Sequence, residues 1–319
     1  MPDSNPSLTD FAGAFTPLGQ TESFSIRRYQ NAQAALSRSN FRIGYRFLKD
    51  QSRKDLETLY VFFRVVDDLV DEPYPGEDPK IELSFWTEDL SGGARFDHPL
   101  SERLHELMDR RGVPREVLLD VVRGMALDVD RVRIAGMTEL KEYCYLAAGA
   151  VGRACIPVFG GDLDRLAPYA DALGEAFQLT NILRDVKEDA ARDRIYLPAD
   201  RMRHFGVLET DVLSGVLTEG FSELLGELWE LSERDYQKSH SLLMTAEDRK
   251  VMRPARAMEA YYHEIHREIR RRNFDVFSRP VVLSKFKKAS LLLLFLTVGQ
   301  WANISRSHQQ PERFGRRVD

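Results

Sequence analysis

Residues 177–198 read FQLTNILRDVKEDAARDRIYLP. Placed on a helix, Gln178, Asn181, Asp185 and Asp189 fall at i, i+3, i+7 and i+11 and share one face. Leu179, Ile182, Leu183 and Val186 supply an apolar packing surface around the rest. The stretch predicts a helix with a packed apolar side and a line of amides and carboxylates along the other. An ionised carboxylate loses its hydration in a core at great cost, so that line needs a cationic partner.

A second line of the same kind lies far upstream in LYVFFRVVDDLVDE, residues 59–72. Here Tyr60, Arg64, Asp67 and Asp71 fall at i, i+4, i+7 and i+11, while Leu59, Phe62, Phe63, Val66 and Val70 cover much of the remaining surface. Asp68 stands one step round the helix, in a supporting position. A salt-bridged solvent face is the ordinary explanation of one such stripe, but these surroundings are too apolar for it. Two carboxylate pairs facing each other across a bundle would repel unless hard cations sat between them. Oxygen-only ligation suits Mg²⁺, which keeps several waters and bridges carboxylates to substrate phosphates. A di-iron centre is the competing reading and wants inward-facing Glu-x-x-His pairs; Glu259, His263, Glu264 and His266 miss that spacing. Arg64, Arg184 and Arg194 lie in or beside the stripes, and guanidinium matches phosphate oxygens in bidentate geometry. Tyr60, Tyr143 and Tyr196 could offer hydroxyls or ring faces to a developing carbocation.

Helical spacing dominates elsewhere too, over about 24–50, 80–91, 97–111, 114–131, 137–159, 164–190, 208–242, 246–274 and 282–302, with 52–72 carrying the upstream stripe. The breakers EPYPGEDP, SGG, RRGVP, FGGD, YLPAD and SRP are too short for domain linkers. The expectation is an all-α, single-domain helical bundle over 23–302, with a loose tail at 1–22 and a polar tail at 303–319. With 319 residues, 43% of them hydrophobic and 30% charged, the chain has the profile of a globular protein, and a net charge of −5 argues against nucleic-acid partners. Two cysteines, Cys144 and Cys155, argue against a disulfide framework and suit a reducing cytoplasm. The first residues show no signal-peptide pattern. The apolar run ASLLLLFLTVGQWA is too short and interrupted for a span. Lys285, Lys287 and Lys288 precede it, so the segment suits either peripheral contact with an anionic bilayer or a last core helix with a basic first turn.

From about residue 25 to 295 the chain resembles the squalene/phytoene synthase family. LYVFFRVVDDLVDE is similar to its first aspartate-rich motif, and FQLTNILRDVKEDAARDRIYLP to the second almost throughout. GMALDVD (124–130) and EYCYLAAGAVGRA (142–154) are similar to its middle motifs, and FSRPVVLSKFKKASLLL to its C-terminal ending. The resemblance implies an isoprenoid-synthase-type bundle around a central cavity, and an enzyme joining two prenyl diphosphates head to head through a cyclopropyl intermediate. Asp67, Asp71, Asp185 and Asp189 would hold the Mg²⁺–diphosphate cluster, with Asp68 and Glu188 close behind. Arg64, Gln178, Asn181, Arg184 and Arg194 would orient diphosphates. Tyr60, Tyr143 and Tyr196 would line the reaction centre, which Tyr262 and Arg279 would close. Ala147, Ala148, Val151 and Gly152 match the family's small-residue helix, which leaves room for a prenyl chain; tight helix packing explains them equally well. The family's Ser-x-Ser-Phe reads SRSNF here, which puts the diphosphate contact at Ser37, Asn40 and Phe41 in question.

Head-to-tail prenyltransferases share Asp-Asp-x-x-Asp, but DVKED lacks their extra adjacent aspartate, and the Asn/Ser/Glu triad of terpene cyclases is not found. Farnesyl diphosphate would give a C30 product and is the expected substrate, with geranylgeranyl diphosphate and phytoene as the alternative. No Rossmann fingerprint is present; the resembled family binds NADPH without one, so NADPH use stays open at this stage. A non-catalytic scaffold relative would be expected to lose metal-binding aspartates, and both stripes are intact.

Overall fold

A computed structural model describes residues 18–36, 42–93, 96–284 and 287. Residues 1–281 form one compact unit and 282–319 another; the unit carrying both stripes closes at Val281, ahead of the boundary at 302 expected from the sequence. Its elements are α1 (Leu18–Leu36), α2 (Arg42–Tyr45), α3 (Asp50–Asp71), α4 (Pro79–Leu90), α5 (Pro99–Arg111), α6 (Arg115–Leu127), β1 (Val132–Arg133), α7 (Met137–Cys144), a π turn (Tyr145–Gly149), α8 (Ala150–Phe159), α9 (Leu163–Ala191), β2 (Arg194–Ile195), α10 (Ala199–His204), α11 (Glu209–Ser214), α12 (Glu219–Leu242), α13 (Ala246–Val251) and α14 (Arg253–Arg271). The all-α expectation holds. α1 starts at Leu18, inside the stretch read as a tail. Three predicted helices are broken: 24–50 after Tyr45, 208–242 around Gly215, and 246–274 at Met252. Gly215 takes φ +70°, the left-handed conformation that ends a helix. The predicted helix over 282–302 lies almost wholly outside the described residues, as do Ser37, Asn40 and Phe41.

The upstream stripe rides on α3. Leu56, Leu59, Phe62, Val65, Val66 and Leu69 are all at most 2% exposed, and each such burial contributes roughly 1.5–3 kcal/mol. That apolar side packs on α1, α5, α6 and α8. The downstream stripe rides on α9, the longest helix, which starts at an Asp162 side chain accepting from the Arg165 amide at 3.0 Å. α9 packs against α8, α12, α14 and the π turn, so apolar residues buried on several sides surround its polar line.

The crossing of α9 with the π turn is unusually close. A Cβ on Gly174 would lie 2.6 Å from Gly149 Cα, so α9 could not carry a side chain there. The only strand pairing among the described residues is parallel, Val132 with Arg194 and Arg133 with Ile195. It ties the segment after α6 to the segment after α9. Asp193 makes that turn at φ +57°, which Asp tolerates, and its carbonyl accepts from Arg133 Nη1 at 2.6 Å.

Candidate active site

α3 and α9 bring their carboxylates into one field. Asp67 is pushed up to about 7, first by burial and then by the charge of Asp71, with Asp128 adding to it. Asp189 is pushed up to about 8 by burial and then by Asp185, with Asp128 and Asp71 contributing across the bundle. Asp71 at the end of α3 and Asp189 of α9 thus stand within electrostatic reach of each other, with Asp128 beside both.

In this structure the carboxylates are met by arginine. Arg64 reaches Asp67 Oδ2 at 3.2 Å and Asp68 Oδ1 at 2.6 Å. Arg184 grips Asp185, its own neighbour, through both nitrogens. Asp71 is clamped by two guanidinium groups, Arg194 Nη1 on Oδ1 at 2.6 Å and Arg192 Nη1 on Oδ2 at 2.7 Å. Arg194 also donates to the Val70 carbonyl at 3.4 Å, so the strand after α9 is bound directly to the last turn of α3. From the other side Arg28 of α1 donates to the carbonyls of Asp68 and Glu72 and pairs with Glu77. The Asp68 carbonyl also accepts from the Glu72 amide at 3.0 Å, so Arg28 adds a second donor there and serves the Glu72 carbonyl past the last turn.

Tyr143 and Tyr196 converge on one carboxylate. Tyr143 donates to Asp128 Oδ2 at 3.0 Å and Tyr196 to Oδ1 at 2.7 Å, and their rings stack at 4.7 Å and 26°. Asp128 sits just past α6, is 7% exposed, and is pushed up to about 6, chiefly by burial. Tyr60 lies on the α3 face one turn before Arg64. Tyr262 of α14 stacks on Phe177 of α9 at 4.4 Å and lies beside Arg184. Asn181 Nδ2 reaches Gln178 Oε1 at 3.4 Å, while its own Oδ1 is buried without a hydrogen-bond partner.

Other expected site residues are placed differently. Asp68, assigned a supporting role, is the most buried carboxylate on α3's stripe side, at 7% exposure. Glu188 is exposed on the outer side of α9. Arg279 is exposed, and its described contact is a backbone carbonyl accepting from Arg272 at 3.1 Å. Ala147 and Ala148 lie in the π turn, a geometry frequent at functional sites, and Val151 packs on the core between α3, α6 and α8. The missing side chain of Gly152 points at Ala170 Cβ of α9, 3.2 Å away, so this glycine serves the helix crossing.

Asp128, Arg192 and Arg28 were not singled out from the sequence. The only signal for Asp128 was its place in GMALDVD; Arg192 belongs to the quoted second motif but lies off its polar stripe. The histidine pattern was also incomplete. Glu102 and His105 do have Glu-x-x-His spacing, yet Glu102 is exposed and His105 binds buried Asp89 at 3.1 Å. Among the described residues no group of three or more His, Cys, Asp or Glu side chains is drawn together as a metal cage. The stripe's donor set nevertheless fits a hard cation. It is all oxygen, it includes the unpartnered Asn181 Oδ1 one turn from Asp185, and added positive charge would relieve Asp67 and Asp189.

A family model described as squalene/phytoene synthase matches residues 35–287. The chain belongs to the squalene/phytoene synthase family. A phytoene synthase of Arthrospira platensis is 31% identical over 294 residues, spanning 88% of this chain and 94% of that protein. A presqualene diphosphate synthase of Rhodopseudomonas palustris is 31% identical over 268 residues, spanning 82% and 94%. Among solved structures, a dehydrosqualene synthase superposes with a TM-score of 0.73 at 24% identity, over 90% of this chain and 99% of that one. A squalene synthase from Alicyclobacillus acidocaldarius gives 0.69 at 24% identity, over 81% and 99%. Both establish the common all-α fold. Like other members of the family, the chain is a prenyltransferase of the head-to-head class acting on prenyl diphosphates. No described helix is long and apolar enough to cross a membrane.

Proposed function

We propose that this prenyltransferase condenses two farnesyl diphosphates to presqualene diphosphate, using Mg²⁺; a second ionisation that releases the remaining diphosphate, ended by hydride from a nicotinamide cofactor, by proton loss or by water, would give a squalene-type C30 product. The observation that carries the reading is the opposed pair of aspartate stripes interleaved with arginines, beside a tyrosine pair held on Asp128. Mg²⁺ held by Asp67, Asp71, Asp185 and Asp189 would supply Lewis-acid stabilisation of the departing diphosphate. Arg64, Arg184 and Arg194 would orient the diphosphates through charge-assisted hydrogen bonds. The C1–O bond of the first substrate breaks, releasing diphosphate and leaving an allylic cation. The double bond of the second substrate attacks that cation, and cyclopropane closure expels a proton. Tyr143 and Tyr196 present stacked, carboxylate-held rings to the positive charge. The apolar sides of α3 and α9 exclude water from it.

Two geranylgeranyl diphosphates giving phytoene is the second reading, favoured by phytoene synthases of Arthrospira platensis and Thermus thermophilus at 31% and 34% identity. The Rhodopseudomonas palustris relative points to the first. The C-terminal segment from Lys285 would provide peripheral contact with the membrane that receives the product. The test incubates purified full chain with Mg²⁺ and either substrate, then weighs the extracted hydrocarbons and diphosphates. A C30 skeleton from farnesyl diphosphate supports the proposal, and a C40 product from geranylgeranyl diphosphate alone favours the second reading. Diphosphate release from neither overturns both.

A further inference from the structure

Asp71 carries two guanidinium groups that differ in how they are held. Arg194 is set by the β1–β2 register, its side chain is 10% exposed, and it bonds the Val70 carbonyl as well as Asp71. Arg192 occupies the C-cap of α9, its side chain is 46% exposed, and Asp71 is its one described side-chain partner. Its backbone is fixed by bonds from its amide to the α9 carbonyls of Asp189 and Ala190, whereas its long side chain only leans across the cleft. Around this point stand the carboxylates of Asp67, Asp68, Asp71, Asp128, Asp185 and Asp189, against the guanidinium groups of Arg64, Arg184, Arg192 and Arg194. A cation taking Asp71 must displace a guanidinium from it. The exposed, singly held one leaves at least cost, because a solvent-exposed ion pair is worth only about 0.2–1 kcal/mol.

Resting on the proposed Mg²⁺–diphosphate reading, we infer that Arg192 is an exchangeable counter-ion and a diphosphate-binding residue. It neutralises Asp71 while the cation is absent, and turns to the phosphate oxygens when the cation takes Asp71. Arg194 stays in place and keeps α3 and α9 in register. The exchange makes and breaks no covalent bond. It keeps the cleft closer to neutral in both states, and it makes metal and diphosphate binding mutually favourable, since each removes a competitor or supplies a partner for the other.

The exchange predicts effects of opposite sign on two ligands. In full-length Arg192→Gln, Mn²⁺ alone, followed by electron paramagnetic resonance, binds about two- to five-fold tighter, because Asp71 has lost a competitor. Inorganic pyrophosphate with Mg²⁺, followed by calorimetry, binds about ten-fold more weakly, because a charge-assisted bond is lost. Arg192→Lys, which keeps the charge and guards against a folding defect, stays near wild type for Mn²⁺ and lies between the two for pyrophosphate. Loss of affinity for both ligands, change in only one, or change in neither overturns the inference. If wild-type protein itself binds neither Mn²⁺ nor pyrophosphate, the metal–diphosphate reading has failed and the inference falls with it. Binding of both by wild type, without the opposite shifts in the variant, sinks the exchange alone.

Discussion

Asp128→Asn tests whether the tyrosine clamp is held at the expense of stability. Asp128 has its carboxyl pushed from 3.8 up to about 6, by burial above all, despite hydrogen bonds from Tyr196 and Tyr143 that favour the charge. A group whose folded pKa is raised adds protons to the native state between the two values. Stability is therefore present below about pH 4 and lost as pH rises through about 6. The rise of about two units corresponds to about 3 kcal/mol against the ionised form, taken as an order of magnitude. Asn reproduces the protonated carboxyl, with one acceptor and one donor group for two phenols that can each donate or accept. The variant should match wild type near pH 3 and exceed it by about 1–3 kcal/mol at pH 8, measured by urea unfolding in chelator so that no cation intervenes. Its turnover should nevertheless fall about ten- to hundred-fold, because the two ring planes lose the carboxylate that aims them. An equal stability change at both pH values, or a loss at pH 8, would refute the electrostatic account. Undiminished turnover would refute the positioning role.

Three further outcomes follow from named contacts. Asp67→Asn and Asp185→Asn should each abolish diphosphate release while leaving helical circular dichroism unchanged, and full activity in both would remove their assigned roles. Gly174→Ala forces a Cβ to within 2.6 Å of Gly149 Cα, well inside ordinary contact; overpacking should outweigh the gain in helix propensity and cost about 1–3 kcal/mol in denaturant unfolding. Gly226→Ala is the control, since its Cβ meets only the Phe274 ring at 3.5 Å and should gain about 0.5–1 kcal/mol; equal effects at the two glycines would contradict the crossing geometry. Glu82, 3% exposed on α4, is pushed up to about 7 by burial and then by Glu77. Its contribution is thus present below about pH 4.5 and lost as pH rises through 7, so Glu82→Gln should raise stability by about 1–3 kcal/mol at pH 8 and leave it unchanged near pH 3.5.

The helices bearing chemistry were legible because both stripes repeat at helical spacing inside apolar sequence, a pattern that few other structures satisfy. Within those helices the period alone puts Asp67 with Asp71, and Asp185 with Asp189, on single faces. What lies between helices did not. Asp128 has no periodic signal, since it acts one residue past the end of α6 and meets tyrosines from two distant segments. Arg192 and Arg194 follow α9, where a left-handed Asp193 and a two-residue parallel pairing decide which way each side chain goes. Neither feature can be read from composition or period. The break at Met252, where α14 begins with Arg253 and Pro254, and the π turn at Tyr145–Gly149 were missed because their residues remain compatible with one continuous helix.

The same contacts explain how a helix as apolar as α3 tolerates its aspartates. Asp68 and Asp67 are served by Arg64 within the helix, and Asp71 by two arginines from beyond α9. Pairing within one helix neutralises charge but binds nothing together. Pairing across the cleft does both, because Arg194 and Arg192 tie the two motifs at the point where the stripes converge. Among the described residues Asp189 has no such partner at bonding distance, and burial followed by the charge of Asp185 pushes it up to about 8. Uncompensated carboxylate charge therefore collects at Asp189, beside Asp185, Asp128 and Asp71. A cation carrying a diphosphate would gain most there, and α9 is held by packing on several sides, so it can bear that repulsion without moving away.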